Sequence, residues 1–181
     1  MSDRVERYFN SLGKTIVLQT KKSLRKKKGS TSLGESIKYK VVKNPNGYTL
    51  QFYMEDYGTF LDKGVSGNKR KQQYKDYLGK TITSPYKYTS KGPPIDILSK
   101  WIKKKGIKPK GIERGRSKVT GQYISGLAYY ISAAIKRDGI KSLSFFQTPL
   151  GSNLKQFNSK MLDAVTEDII DGLTEVGFKK E

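Results

Sequence analysis

The chain has 181 residues, with 36 Lys+Arg against 16 Asp+Glu, a formal net charge of +20, and neither Cys nor His. Without Cys there is no disulfide framework, thiolate nucleophile or Cys-ligated metal site, and without His there is no Ser-His-Asp triad, His base or His-ligated metal. Carboxylates, Lys, Tyr, Ser and Thr are left for any chemistry.

Hydrophobic residues make up 35% of the chain, a thin supply for a core, yet 12 Tyr, 7 Phe and one Trp are too many aromatics for a disordered chain. The length suits one domain, residues 1–181. No apolar run approaches the ~20 residues of a membrane span, and the mixed-charge start lacks the apolar core of a signal peptide. The expectation is a soluble protein, made in a reducing cytoplasm, with no membrane partner.

Residues 3–27 read as a helix, because Val5, Phe9, Leu12 and Ile16 recur on one face. Ser2 or Asp3 can cap it, the run Lys21 to Lys28 suits its negative end, and Gly29 stops it. Leu33 and Ile37 sit four apart on a short turn. Ile37–Lys43 and Tyr48–Met54 read as strands around Asn44-Pro45-Asn46-Gly47, a hairpin.

Residues 56–64 form a compact aromatic and Gly segment. Residues 65–92 are basic and turn-rich, with strand-like pieces at 80–83 and 86–89, and read as an extended loop or β-arm. Pro93-Pro94 opens a helix with Ile95, Leu98, Trp101 and Ile102 on its apolar face, ended by Gly106. A second basic loop covers 106–120. Helices at 121–138 and 153–176 complete the chain, with Phe145-Phe146 and Pro149 between them.

The charge is concentrated. Residues 1–30, 63–91 and 100–118 carry net +7, +7 and +8, whereas 155–181 carries −2. This pattern suits arms that meet an acidic partner or the phosphates of a nucleic acid, and also suits plain solvation.

Few residues argue for catalysis. Glu55, Asp56 and Asp62 flank a strand end, as nuclease acids do, but no acid is followed two residues later by Lys. Gly79-Lys80-Thr81 ends like a phosphate loop, but Tyr74 stands where its first Gly belongs. Tyr74, Tyr77, Tyr86 and Tyr88 interleave with Lys as base-stacking residues can, and equally as half-buried sheet residues do. No catalytic, cofactor or metal residue is assigned.

Taken together, the order of motifs resembles the tail-completion or minor-tail (neck) protein family of tailed bacteriophages, over about residues 30–177. The carriers are Thr31 to Ile37 before a strand; the hairpin; Tyr57-Gly58 and Phe60-Leu61-Asp62-x-Gly64; Pro93-Pro94; Trp101-Ile102; Ala128 to Ile131; Phe145-Phe146; and a closing helix.

The resemblance implies an α+β fold, a small antiparallel sheet with the N-terminal helix and two or three others on it. It implies a non-enzymatic virion protein of the neck, needing no cofactor. Such a subunit forms a homo-oligomeric ring, of six or twelve copies, between the portal or adaptor and the tail proteins, around the DNA channel. The residues expected to meet channel DNA or an acidic partner are Lys69, Arg70, Lys71, Lys108, Lys110, Arg114 and Arg116. Tyr57 and Phe60 are expected to pin sheet to helix, and Gly58 and Gly64 to take conformations that resist a Cβ. With them, Val5, Phe9, Leu12, Ile37, Phe52, Leu61, Ile95, Leu98, Trp101, Ile131, Ile135, Phe146, Leu162 and Ile169 make up the expected core. The alternative is a basic nucleic-acid-binding protein without catalysis.

Overall fold

Helix α1 runs from Arg4 to Lys28 in a computed structural model that describes residues 4–29, 31–45, 47–107, 114–116 and 123–175. Its buried residues, among them Phe9, Leu12, Ile16, Thr20 and Leu24, keep the three-to-four spacing of one face. Gly29 ends it with φ +76°, as the left-handed C-terminal position favours. The expected caps Ser2 and Asp3 lie outside the described residues. Asp168 does this work instead: its carboxylate accepts from the backbone N–H of Arg4 at 3.0 Å and of Val5 at 3.2 Å.

The fold is α+β. After α1 come a short α2 (Ser32–Ser36), capped by the Thr31 hydroxyl, and the hairpin β1 (Lys38–Asn44) and β2 (Gly47–Tyr53). Then follow α3 (Tyr57–Lys63), β3 (Val65–Ser66), β4 (Gln73–Lys75), β5 (Thr81–Thr83), α4 (Ile95–Lys104), β6 (Arg114–Arg116) and β7 (Tyr123–Ser125). The last elements are α5 (Gly126–Asp138), β8 (Gly139–Ile140), α6 (Gln147–Leu154) and α7 (Phe157–Glu175). Among the described residues the strands form four separate two-stranded ladders rather than one sheet.

The chain groups into two compact units. The first holds Met1–Gly58, Lys75–Thr81 and Leu143–Glu181. Here α1 packs on the hairpin, α6 and α7. In the hairpin Tyr39 pairs with Phe52, Val41 with Leu50 and Lys43 with Tyr48. Tyr48, Leu50 and Phe52 alternate with exposed residues and are half-buried, as a one-sided hairpin requires. Phe9 meets Tyr48 and Phe157 at ring-centroid distances of 5.8 and 6.0 Å, and Phe52 meets Phe146 at 5.3 Å. Ile16, Ile37 and Phe145 are fully buried.

The second unit holds Thr59–Tyr74 and Ile82–Ser142. Its interior is unusually polar, which accounts for the low hydrophobic content. Val65 pairs with Ile140 and Ser66 with Gly139. The Ser84 hydroxyl donates to the Gly64 carbonyl at 2.7 Å, and the Gln72 amide to the Asp138 carbonyl at 2.6 Å. Ser132 donates to the Pro93 carbonyl at 2.7 Å. These side chains are buried, and each satisfies a backbone acceptor that would otherwise lose its water without replacement. Ile102 and Ala128 supply the apolar contact where α4 meets α5.

Several expectations need correction. Residues 65–92 are not a free arm: Val65, Ser66, Gln72 and Ser84 are buried, β4 and β5 pair, and the Tyr77 N–H donates to the buried Gln147 side chain at 3.1 Å. The alternating pieces were visible, but their tertiary hydrogen bonds run to distant residues. Of the described residues in 106–120, Gly106 and Ile107 are loop, but Arg114–Arg116 is a strand that pairs with Tyr123–Ser125, which also moves the start of α5 from 121 to 126. The closing helix expected at 153–176 is α7, which starts at Phe157, and a separate helix, α6, precedes it over Gln147–Leu154.

Trp101 is not core; it is 44% exposed, because it neighbours Ile102 and successive helix residues point about 100° apart. Tyr57 and Phe60 are exposed, at 43% and 41%, since the segment is a helix rather than a strand end. Leu162 and Ile169 are exposed too. Gly64 does require its freedom, with φ +73°. Gly58 does not: it is helical, and what opposes a Cβ there is Met54, whose Sδ would lie at 2.6 Å.

Candidate partner and polyanion interfaces

The helical repeat decides what the basic residues of α1 can do. Arg7, Lys14, Lys21 and Lys28 recur every seven residues, which is nearly two turns, so they drift by only ~20° per step. Arg25 stands five full turns beyond Arg7 and in line with it, ~27 Å along the axis. Lys22 lies beside them. Arg7, Lys14, Lys22 and Arg25 are exposed on the side opposite the buried stripe, whereas the half-buried Lys21 and the exposed Lys28 lie at its margin, ~40° around from the buried Val17 and Leu24. Among the described residues none of the six makes an ion pair, and the only acid within α1 is Glu6.

The basic end of this helix is explained in part by the helix dipole, which favours cations in the last turn. Arg7 is not. It sits in the first turn, where the dipole is unfavourable to a cation. Arg4, in the same turn, is compensated: its guanidinium reaches Asp171 at 2.8 Å and Glu167 at 2.5 Å, and the Asp171 hydrogen bond holds its pKa above the usual arginine value. Lys27 is also engaged, donating to the Leu143 carbonyl.

The sequence-derived candidates are placed differently. Lys69, Arg70 and Lys71 are exposed, but their backbone is tied down: the N–H of Asn68 donates to the Lys136 carbonyl at 2.9 Å and that of Lys69 to the Arg137 carbonyl at 3.0 Å. This puts Asp138 within their field. Asp138 is held below the usual carboxylate range, first by its hydrogen bonds from Arg137 at 2.7 and 3.1 Å, then by the charges of Arg137, Arg70 and Lys69. Asp138 is thus paired first with Arg137, and only its residual field reaches Arg70 and Lys69. Lys108 and Lys110 lie outside the described residues. Arg114 and Arg116 both belong to β6.

The motif residues serve the scaffold. Pro94 precedes α4, and its carbonyl accepts the first helical bond, from Leu98 at 3.2 Å; Pro93 accepts from Ser132. Leu61 is half-buried, Phe60 packs edge-on against Tyr86 at 4.6 Å, and Tyr57 is hydrogen-bonded to Ser32 at 3.3 Å. Phe145 is core and Phe146 packs on Phe52.

Exposed apolar side chains gather on particular helix faces. On α7, Leu162, Ile169 and Leu173 are 66%, 57% and 49% exposed and fall within ~40° of one another around the helix. None of the 19 residues of α7 is fully buried, although its other side packs on α1. On α4, Ile97 and Trp101 line up beside Lys100 and Lys104. On α5, Tyr129 and Tyr130 are both exposed.

Among the described residues no three acidic side chains come together as a metal site, so Glu55, Asp56 and Asp62 do not form one. No helix among them is long and apolar enough to cross a membrane. Comparison with family models, with curated proteins and with solved structures finds no match.

Proposed function

We propose that this protein is a structural subunit of a ring in the neck of a tailed bacteriophage, between portal or adaptor and tail, acting by assembly rather than catalysis. The observation that carries the reading is α7. A lone chain leaves Leu162, Ile169 and Leu173 in water on one continuous face, and such a face marks a surface that a protein partner covers. The exposed pairs on α4 and α5 supply further contact faces, so copies can meet through unlike surfaces, the arrangement that closes into rings. The order of motifs points the same way, and virion localisation follows from it.

The test is co-expression with the portal, adaptor and tail proteins of the same virion, followed by purification through the portal. Retention in a fixed ratio supports the reading, and Leu162→Asp with Ile169→Asp should abolish it. A protein that is recovered alone in every combination contradicts it. The second reading, a nucleic-acid-binding protein without catalysis, is favoured by the uncompensated cations of α1.

A further inference from the structure

We infer that the outer face of α1 is a binding site for the phosphate backbone of a nucleic-acid duplex, formed by Arg7, Lys14, Lys21, Lys22, Arg25 and Lys28. The inference goes beyond the ring reading and stands whether or not that reading does. Three observations carry it. The six cations span ~31 Å of the helix axis, from Arg7 to Lys28, within about a third of its circumference, with Arg7, Lys14, Lys22 and Arg25 on the outer side and Lys21 and Lys28 flanking them, an elongated array that matches a linear polyanion. Among the described residues none is neutralised by an acid of the chain. And Arg7 stands at the helix's positive end, where the dipole does not stabilise it and, among the described residues, no acid pairs with it.

The chemistry specifies phosphate rather than base contacts. Lys predominates, and a flexible ammonium meets phosphate as a point charge without reading sequence. A membrane surface fits less well. Helices that lie in a lipid interface insert an apolar face, but the apolar face of α1 is buried in its own unit, and only Leu18 is exposed among the cations. The loop residues Lys69 to Lys71 fit less well too, because three consecutive residues offer no extended line of charge and Asp138 lies within the field of Lys69 and Arg70.

The test is fluorescence anisotropy of the full chain on a labelled DNA duplex of random sequence, between about 50 and about 200 mM salt. Replacing Arg7, Lys14, Lys22 and Arg25 by Gln removes four phosphate contacts. The slope of log K against log salt should fall by about 3.6, at ~0.9 per contact. The four positions are exposed and Gln is a good helix former, so circular dichroism should be unchanged. Replacing Lys69, Arg70, Lys71 and Lys91 by Gln makes the same charge change elsewhere and should leave most of the slope. Arg7→Lys with Arg25→Lys should keep it.

Equal loss in the two Gln variants would overturn the inference, since binding would then follow total charge. So would an unchanged slope in the α1 variant. Capture on phosphatidylserine vesicles without duplex binding would overturn it as well. None of these outcomes reads ring assembly, so the two proposals fail separately.

Discussion

Replacing Gly151 by Ala decides whether the 73–83 hairpin is a docked element or a free arm. Gly151 lies inside α6. In an exposed helix interior Ala is more stable than Gly by about 1 kcal/mol. Here a Cβ would lie 2.1 Å from the Tyr77 carbonyl oxygen, 2.9 Å from its carbon and 3.1 Å from its Cα, all backbone atoms. Ordinary contact begins at 3.4 Å, so the hairpin tip must retreat by more than 1 Å.

That retreat breaks the hydrogen bond from the Tyr77 N–H to Gln147, leaving a buried acceptor unpaired at a cost of about 1–3 kcal/mol, with overpacking of similar size as the alternative. The clash offsets the helix preference and leaves a net destabilisation of up to about 2 kcal/mol. Urea unfolding should show a midpoint lower by up to about 1 M for a slope near 2 kcal/mol per M. Trypsin should cut faster at Lys75 and Lys80, which flank the tip. A midpoint that rises would refute the docking, because it would mean that the helix preference acts alone.

Other substitutions test the rest of the structure. Ile16→Ala empties a fully buried site between α1 and its neighbours and should cost about 2–5 kcal/mol by urea unfolding. Gly64→Ala, at φ +73° with the Ile140 carbonyl 2.7 Å from the new Cβ, should cost more than Gly58→Ala, where the flexible Met54 side chain can move aside; the same assay ranks them. Asp168→Ala removes the cap of α1 and should cost ~1 kcal/mol, seen also as faster amide exchange at Arg4 and Val5.

Asp138 has a lowered folded pKa, so its stabilisation is full above the ordinary aspartate value of 3.8 and is lost as pH falls through the lowered one. Asp138→Asn should therefore weaken the fold at neutral pH and make progressively less difference in strong acid. An NMR titration that places the Asp138 carboxyl at or above the ordinary value would contradict this.

Local signals carried much of the fold. The stripe Phe9, Leu12, Ile16 gave α1, the Asn-Pro-Asn-Gly turn gave the hairpin, and Gly29 and Gly64 took the positive φ that their positions suggested. What was not legible depended on distant partners. Ser66, Gln72 and Ser84 look like loop residues because they are polar, but they are buried by bonding to backbone far along the chain. Asp168 caps a helix 163 residues away, which no local pattern announces.

Trp101 went astray for a different reason: its spacing from Leu98 put it on the apolar face, but the adjacent Ile102 takes the inward position and turns Trp101 to another side of α4. The candidate site shows the same division. Counting charge by segment found α1 but not its order, and the signal was available in the spacing Arg7, Lys14, Lys21, Lys28. That Lys69 and Arg70 stand within the field of Asp138 could be seen only in three dimensions.

The proposed ring is open to negative-stain imaging of the purified protein, alone and with the portal or adaptor it is proposed to join. Closed rings of uniform diameter are expected in at least one of the two samples, lost when Leu162 and Ile169 are both replaced by Asp. Particles of monomer size in both samples would contradict it.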